Sequence, residues 1–340
     1  MTKSLYAYIE QYRSVSIIGM CKNAGKTTAL NQIIREAARR NHALGLTSIG
    51  RDGEDKDLVT GTKKPGIYIP EGTLVATASQ LVLRHSNVTK EILDTTGMFT
   101  PMGEVVIFRA RSDGDVQLAG PSMTSQLASI REDFFRLGAD RVLIDGALSR
   151  KSLCSRRVTE ATILCTGASY HKDLRTVVED TAFQCRVLAL PESDDAALRA
   201  LAQADHRQTV LLTADGPRAL SGEEKLEDVL RKLPSRAVFF GGALTDSAIR
   251  PLLMSSVSLQ DVALVVRDSS KILIKQELFE KLCRRGARLQ VIDNVNLAAL
   301  TVNPFSAYGF HFDPRALQEI MQARVEIPVI NVMEGGSPWN

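Results

Sequence analysis

The segment Ser16-Ile-Ile-Gly-Met-Cys-Lys-Asn-Ala-Gly-Lys-Thr-Thr28 constrains this chain more than any other. Val15, Ile17 and Ile18 make an apolar run short enough for a buried strand. Gly19 opens a turn, Gly25-Lys26-Thr27 closes it, and helical spacing starts at once. Leu30, Ile33, Ile34, Ala37 and Ala38 then fall on one face. Strand, glycine loop and helix start in that order suit a phosphate. Glycines let backbone N–H groups approach its oxygens, and the new helix presents its positive end to them. In such a loop Lys26 reaches the β/γ-phosphates and the Thr27 hydroxyl sits on Mg²⁺. Gly19, Asn23, Ala24, Gly25, Lys26, Thr27 and Thr28 are the residues expected at the nucleotide.

A second motif supplies an acid. In Asp140-Arg-Val-Leu-Ile-Asp-Gly-Ala-Leu-Ser-Arg150, the apolar Val142, Leu143 and Ile144 predict a buried strand with Asp145 at its carboxyl end. Ligands of open α/β sheets bind along that edge. A carboxylate there suits a Walker-B-like role, holding Mg²⁺ directly or through water. The exit of the second strand, Ile49-Gly-Arg-Asp-Gly-Glu54, crowds more charge near the γ-phosphate. The SIMIBI enzymes, which the loop resembles, often supply an acidic group for metal or water from this region, so the resemblance implies that role for Asp52 or Glu54, with a solvated loop as the alternative. Catalytic roles are thus expected of Lys26, Asp145 and Asp52, and metal ligation of Thr27, Asp145 and Asp52.

Strand-like and helix-like patterns alternate along the 340 residues, which predicts an α/β fold with a largely parallel sheet. The expected division is residues 1–192, a three-layer α/β/α P-loop NTPase domain; residues 193–334, a second α/β domain for a partner or ligand; and a tail, 335–340. In the first, strands are expected at 44–48, 105–109, 116–118, 161–165 and 187–190, with helices at 124–137 and 173–183. In the second, strands are expected at 210–212, 237–240, 262–266, 289–292, 300–302 and 329–332. Gly241-Gly242 before a Thr245 helix cap reads as a tight strand-to-helix turn, with anion binding as the alternative.

Other chemistries are disfavoured. The net charge of +3 gives no field for nucleic acid or an anionic membrane, and the basic pairs are dispersed. Aromatics at 5% argue against base-stacking platforms. The five histidines lack metal-ligand spacing. Five scattered cysteines favour reduced thiols in a cytoplasmic protein. Cys21 reads as a small loop residue, with an acidic thiol as the alternative. The first 14 residues are polar, and no apolar run approaches the ~20 residues of a membrane span.

Five residues separate Gly19 from Gly25, one more than in the commonest loop. That longer form resembles dethiobiotin synthetase and its relatives in the SIMIBI branch of P-loop NTPases. The resemblance implies a second loop lysine at the phosphates, here Lys22, one residue nearer the main lysine than in those relatives. Asp145-Gly-Ala resembles the strand end of dethiobiotin and cobyrinic acid synthetases, with Leu148 in place of a glycine. Thr47-Ser48 stands where dethiobiotin synthetase has Lys-Pro for its substrate. Gly-Met-Cys-Lys-Asn-Ala-Gly-Lys-Thr-Thr, Thr-Ser-Ile-Gly-Arg-Asp-Gly-Glu, Leu-Ile-Asp-Gly-Ala and Thr301-Val-Asn-Pro-Phe-Ser306 together resemble the reactivase subunit of adenosylcobalamin-dependent lysine 5,6-aminomutase. This narrower resemblance implies ATP (or GTP) with Mg²⁺ as cofactors, and an aminomutase and a MutS-related ATPase as partners. A homodimer is compatible with it. The resulting expectation is an ATP-driven factor, an ATPase if it turns nucleotide over, that helps an aminomutase exchange damaged cofactor. The alternatives are a dethiobiotin-synthetase-like ligase or small-molecule kinase, and a nucleotide-sensing module without turnover.

Overall fold

The computed structural model describes residues 4–49, 66–84, 86–146, 158–204 and 207–333. The chain forms two units: Met1–Ala182 with Asn296–Asn340, and Phe183–Val295. The first begins β1 (Ser14–Gly19), α1 (Lys26–Arg39), β2 (Leu44–Ser48), β3 (Ile67–Ile69) and β4 (Leu74–Ala78). It continues α2 (Ser79–Arg84), β5 (Lys90–Thr100), β6 (Gly103–Ala110), β7 (Gly114–Val116) and α3 (Thr124–Arg136). Then come β8 (Arg141–Asp145), β9 (Ala161–Gly167) and α4 (Leu174–Leu188), whose residues from Phe183 on belong to the second unit. The second unit holds α5 (Ala196–Gln203), β10 (Thr209–Thr213), β11 (Gly216–Ala219), α6 (Leu226–Lys232) and β12 (Ser235–Phe240). It ends with β13 (Leu244–Thr245), α7 (Asp246–Met254), β14 (Ala263–Asp268), β15 (Ile272–Leu273), α8 (Gln276–Arg284) and β16 (Arg288–Asp293). The chain then returns to the first unit as β17 (Leu297–Asn303), α9 (Pro314–Gln322) and β18 (Val329–Asn331).

Among the described residues, nine strands of the first unit form one mixed sheet in the order β18-β17-β9-β1-β8-β2-β4-β6-β5. From β18 to β4 neighbouring strands are parallel; β6 and β5 add an antiparallel edge. Period-two alternation feeds two apolar layers, one on each face of the sheet. Leu143, Ile17 and Leu46 pack with Leu30, Ile33, Ile34 and Ala37 of α1. Val142 and Ile144 pack instead with Leu127, Ile130 and Phe134 of α3. Each such buried side chain contributes about 1.5–3 kcal/mol relative to exposure, which fixes strand β1 between its two helical layers. Ala38, expected on the buried face of α1, is exposed: it lies one step round the helix from Ala37.

Three sequence expectations change. Residues 187–190 are not a strand, because α4 runs through Leu188. Buried Val177, Thr181 and Leu188 recur at helical spacing, and Val187 belongs to the apolar cluster of the second unit. The runs at 300–302 and 329–332, placed by sequence in the second α/β domain, are β17 and β18 of the first sheet, where β17 pairs with β9. The long β5 and the small-residue strand β4 were not anticipated at all.

The second unit is a five-stranded sheet in the order β11-β10-β12-β14-β16, with β12, β14 and β16 parallel. Val238, Phe240, Leu264, Val266 and Val291 face α6, α7 and α8 through Leu230, Leu252 and Leu282. Ala237, Phe239, Val265 and Ile292 face Leu198 and Ala202 of α5. No described helix is long and apolar enough to cross a membrane.

Candidate functional site

The loop between β1 and α1 leaves the centre of the first sheet. Its strand lies between β8 and β9, each running parallel to it. The Met20 amide donates to Cys165 O at 2.8 Å, so the loop begins anchored to β9. Ala24 is buried, whereas Lys22 and Asn23 are exposed. Asn23 and Gly25 adopt left-handed backbone, with φ of 60° and 92°. Asparagine and glycine are the residues that tolerate this conformation.

Gly25 is the N-cap of α1 and has no side chain with which to satisfy the first helical amides. Lys26, Thr27 and Thr28 form the first turn and are half-buried. Their amides sit at the positive end of a 14-residue helix, the arrangement that receives anions. The Lys26 side chain folds back over the strand end. A Cβ on Gly19 would meet its Cγ at 3.0 Å and its Nζ at 3.1 Å, so glycine at position 19 makes room for the lysine stem. Gly19, Lys22, Asn23, Ala24, Gly25, Lys26, Thr27 and Thr28 thus lie on one continuous strand end, loop and first helical turn.

Asp145 ends β8, in register with Ile17 of β1 and Ser48 of β2. The parallel pairing brings it to the same edge as the loop. Lys26 and Asp145 both act on the buried Cys165 thiol, which burial pushes up to about 12; Lys26 opposes that rise and Asp145 adds to it. Lysine and carboxylate are therefore electrostatic neighbours of one point in the sheet. Asp52, the other expected acid, lies outside the described residues, as do Glu54, Leu148 and the tail 335–340.

The alternative reading of Cys21 as an acidic thiol is corrected. Burial pushes it up to about 11 against the pull of Lys26, so it stays protonated at neutral pH. Tyr170, just beyond β9, is likewise raised to about 12 by burial and by Asp180, to which its hydroxyl donates at 2.8 Å.

Sequence reasoning missed the contribution of the last strands. Gln32 Nε2 of α1 donates to Val332 O at 2.7 Å. Asn303 at the end of β17 donates from Nδ2 to Asn23 O at 3.5 Å. A hairpin follows, with Phe305 bridged to His311, and it exposes Phe305 and Tyr308 although aromatics are scarce in the chain. The signal in the sequence was the segment Thr301-Val-Asn-Pro-Phe-Ser306, which marks these residues without saying that they meet the loop.

Comparison with family models, with curated proteins and with solved structures gives no match. The chemistry therefore rests on the site itself. The first-turn amides, Lys26, Thr27 and Asp145 are the groups from which a phosphate or cation site would have to be built, and among the described residues no cluster of three or more His, Cys, Asp or Glu stands ready for a metal.

Proposed function

We propose that this chain binds ATP or GTP with Mg²⁺ at residues 19–28 and uses the bound nucleotide to shift the conformation of a protein partner. The partner class we infer is an adenosylcobalamin-dependent aminomutase, served together with a MutS-related ATPase, as the reactivase-like motifs imply. The observation that carries the nucleotide reading is Lys26 folded over Gly19, at a helix start whose N-cap has no side chain. Oxygen donors from Thr27 and Asp145 fit Mg²⁺, which supplies charge neutralisation at the phosphates when bound. Lys26 and the amides of the first helical turn orient and neutralise the phosphate tail; Asp145 accepts hydrogen bonds from ordered water or holds the cation.

Such a site suits a reactivase physically. Expelling a tightly held, damaged cofactor opposes its binding free energy. A nucleotide can drive it only by binding one protein conformation better than another. The test is calorimetry of the full chain with MgATP and MgGTP, followed by phosphate release with and without aminomutase. Uptake of one triphosphate, with release stimulated by the mutase, is the expected result. Uptake with release that depends on a small-molecule acceptor would replace the partner reading by a ligase or kinase. No uptake of either triphosphate would overturn the proposal.

A further inference from the structure

We infer that Asn303 is a positioning residue for the phosphate loop, holding it in its anion-receiving shape from a strand end 280 residues away in sequence. The inference rests on the nucleotide reading of residues 19–28. It starts from the two left-handed residues of the loop, Asn23 and Gly25, because those two residues set the path of the backbone into the first turn of α1. Both lie against Asn303. Its Nδ2 donates to Asn23 O at 3.5 Å, and a Cβ on Gly25 would come within 3.1 Å of its Cβ.

The Asn303 side chain is itself oriented. Its Oδ1 accepts from the Phe305 amide at 3.0 Å, which leaves Nδ2 for the loop. Its backbone is fixed too: the Asn303 carbonyl accepts from the Ala168 amide at 2.9 Å, and Asn303 pairs with Gly167 of β9. The loop is thus held at its start by Cys165 of β9 and at its middle by Asn303 of β17. Val332 closes on the same position, with its Cγ2 at 3.2 Å from where a Gly25 Cβ would lie. A donor is required at position 303 because the group facing it is a carbonyl. An acceptor there would repel Asn23 O and place negative charge beside the phosphates.

The test uses the full-length protein, Mg²⁺, and two probes, ATP and inorganic tripolyphosphate, read by calorimetry alongside thermal unfolding. Asn303→Ala is expected to weaken both probes by about three- to tenfold, the worth of one hydrogen bond. Asn303→Asp is expected to weaken both further, while the unfolding midpoints of the two variants agree. Asn303→Ser, a shorter side chain that keeps a donor, should fall between wild type and alanine. Unchanged affinities in Asn303→Ala and Asn303→Asp would overturn the inference. So would a loss confined to ATP, which would put Asn303 at the base or sugar, or a lowered midpoint with wild-type affinity, which would make its role structural only. Wild-type protein that takes up neither probe would overturn the nucleotide reading itself, a result separate from any difference among the variants.

Discussion

Gly19 to Gly25 and Gly241-Gly242 each stand between the carboxyl end of a strand and a helix, and the two turns are built oppositely. In the first unit, Gly19 to Gly25 leads from β1 into α1, where the N-cap has no side chain and Lys26 folds back over the turn. In the second, Gly241-Gly242 leads by way of β13 into α7. There the Thr245 hydroxyl accepts from the Ala248 amide at 3.4 Å and pairs with the Ser247 hydroxyl at 2.8 Å. Asp246 adds a carboxylate to that first turn. Thus one helix start has no side-chain cap on its first amides, and the other is satisfied by its own side chains. Glycine between strand and helix does not distinguish them; what distinguishes them is which group meets the first helical amides.

The comparison can be broken in four ways. The largest effect concerns Cys21, whose thiol is raised from 9.0 to about 11 by burial in the first turn. Its thiolate should be about a hundredfold scarcer at neutral pH than that of an unperturbed thiol. Site-resolved alkylation by mass spectrometry should find it correspondingly slow; rapid labelling would mean that the loop is not packed as described. Next, Lys26→Ala removes a charge-assisted contact worth about 1.5–3 kcal/mol, so nucleotide affinity in calorimetry should fall roughly ten- to hundredfold. Wild-type affinity in that variant would contradict the site.

Thr245→Ala should act on the other turn alone. Losing its cap costs about 1 kcal/mol of stability in denaturant titration, with nucleotide affinity unchanged. A change in affinity would mean that the two turns are not independent. The smallest effect is at Asp195, which caps α5 in the second unit. Burial alone would raise its carboxyl, but Arg236 and the amides of Ala197 and Leu198 outweigh it and hold it low. The stability it adds is fully present above the unfolded value of about 3.9 and is lost as pH falls through the lower folded value. Asp195→Asn should therefore flatten the acid limb of a stability–pH curve by ~0.5 kcal/mol below about pH 4. An unaltered limb would deny the cap its charge.

Sequence made much of the local structure legible and little of the assembly. The spans of β1, β2, α1 and α3 follow from apolar spacing, because burial on one face imposes the period directly. Val187 and Leu188 misled because a short apolar run suits a strand and a helix face equally. β4 escaped notice because Ala76, Thr77 and Ala78 carry little apolar signal, and β5 because its faces are largely exposed. That β17 joins β9 is a pairing between distant segments, and an apolar run names no partner. The site divides in the same way. Gly19, Lys26 and Thr27 are visible as a contiguous motif, and Asp145 as a strand end. Asn303 meets the loop only because the sheet order brings β17 beside β9.

Hydrogen exchange of the full chain, read at residues 19–28 and 241–250 with and without MgATP and MgGTP, bears most directly on the contrast between the two turns. Slowed exchange of the amides around Lys26 with at least one triphosphate, and unaltered exchange around Thr245, is the predicted result. Exchange around Lys26 that ignores both triphosphates would contradict the account.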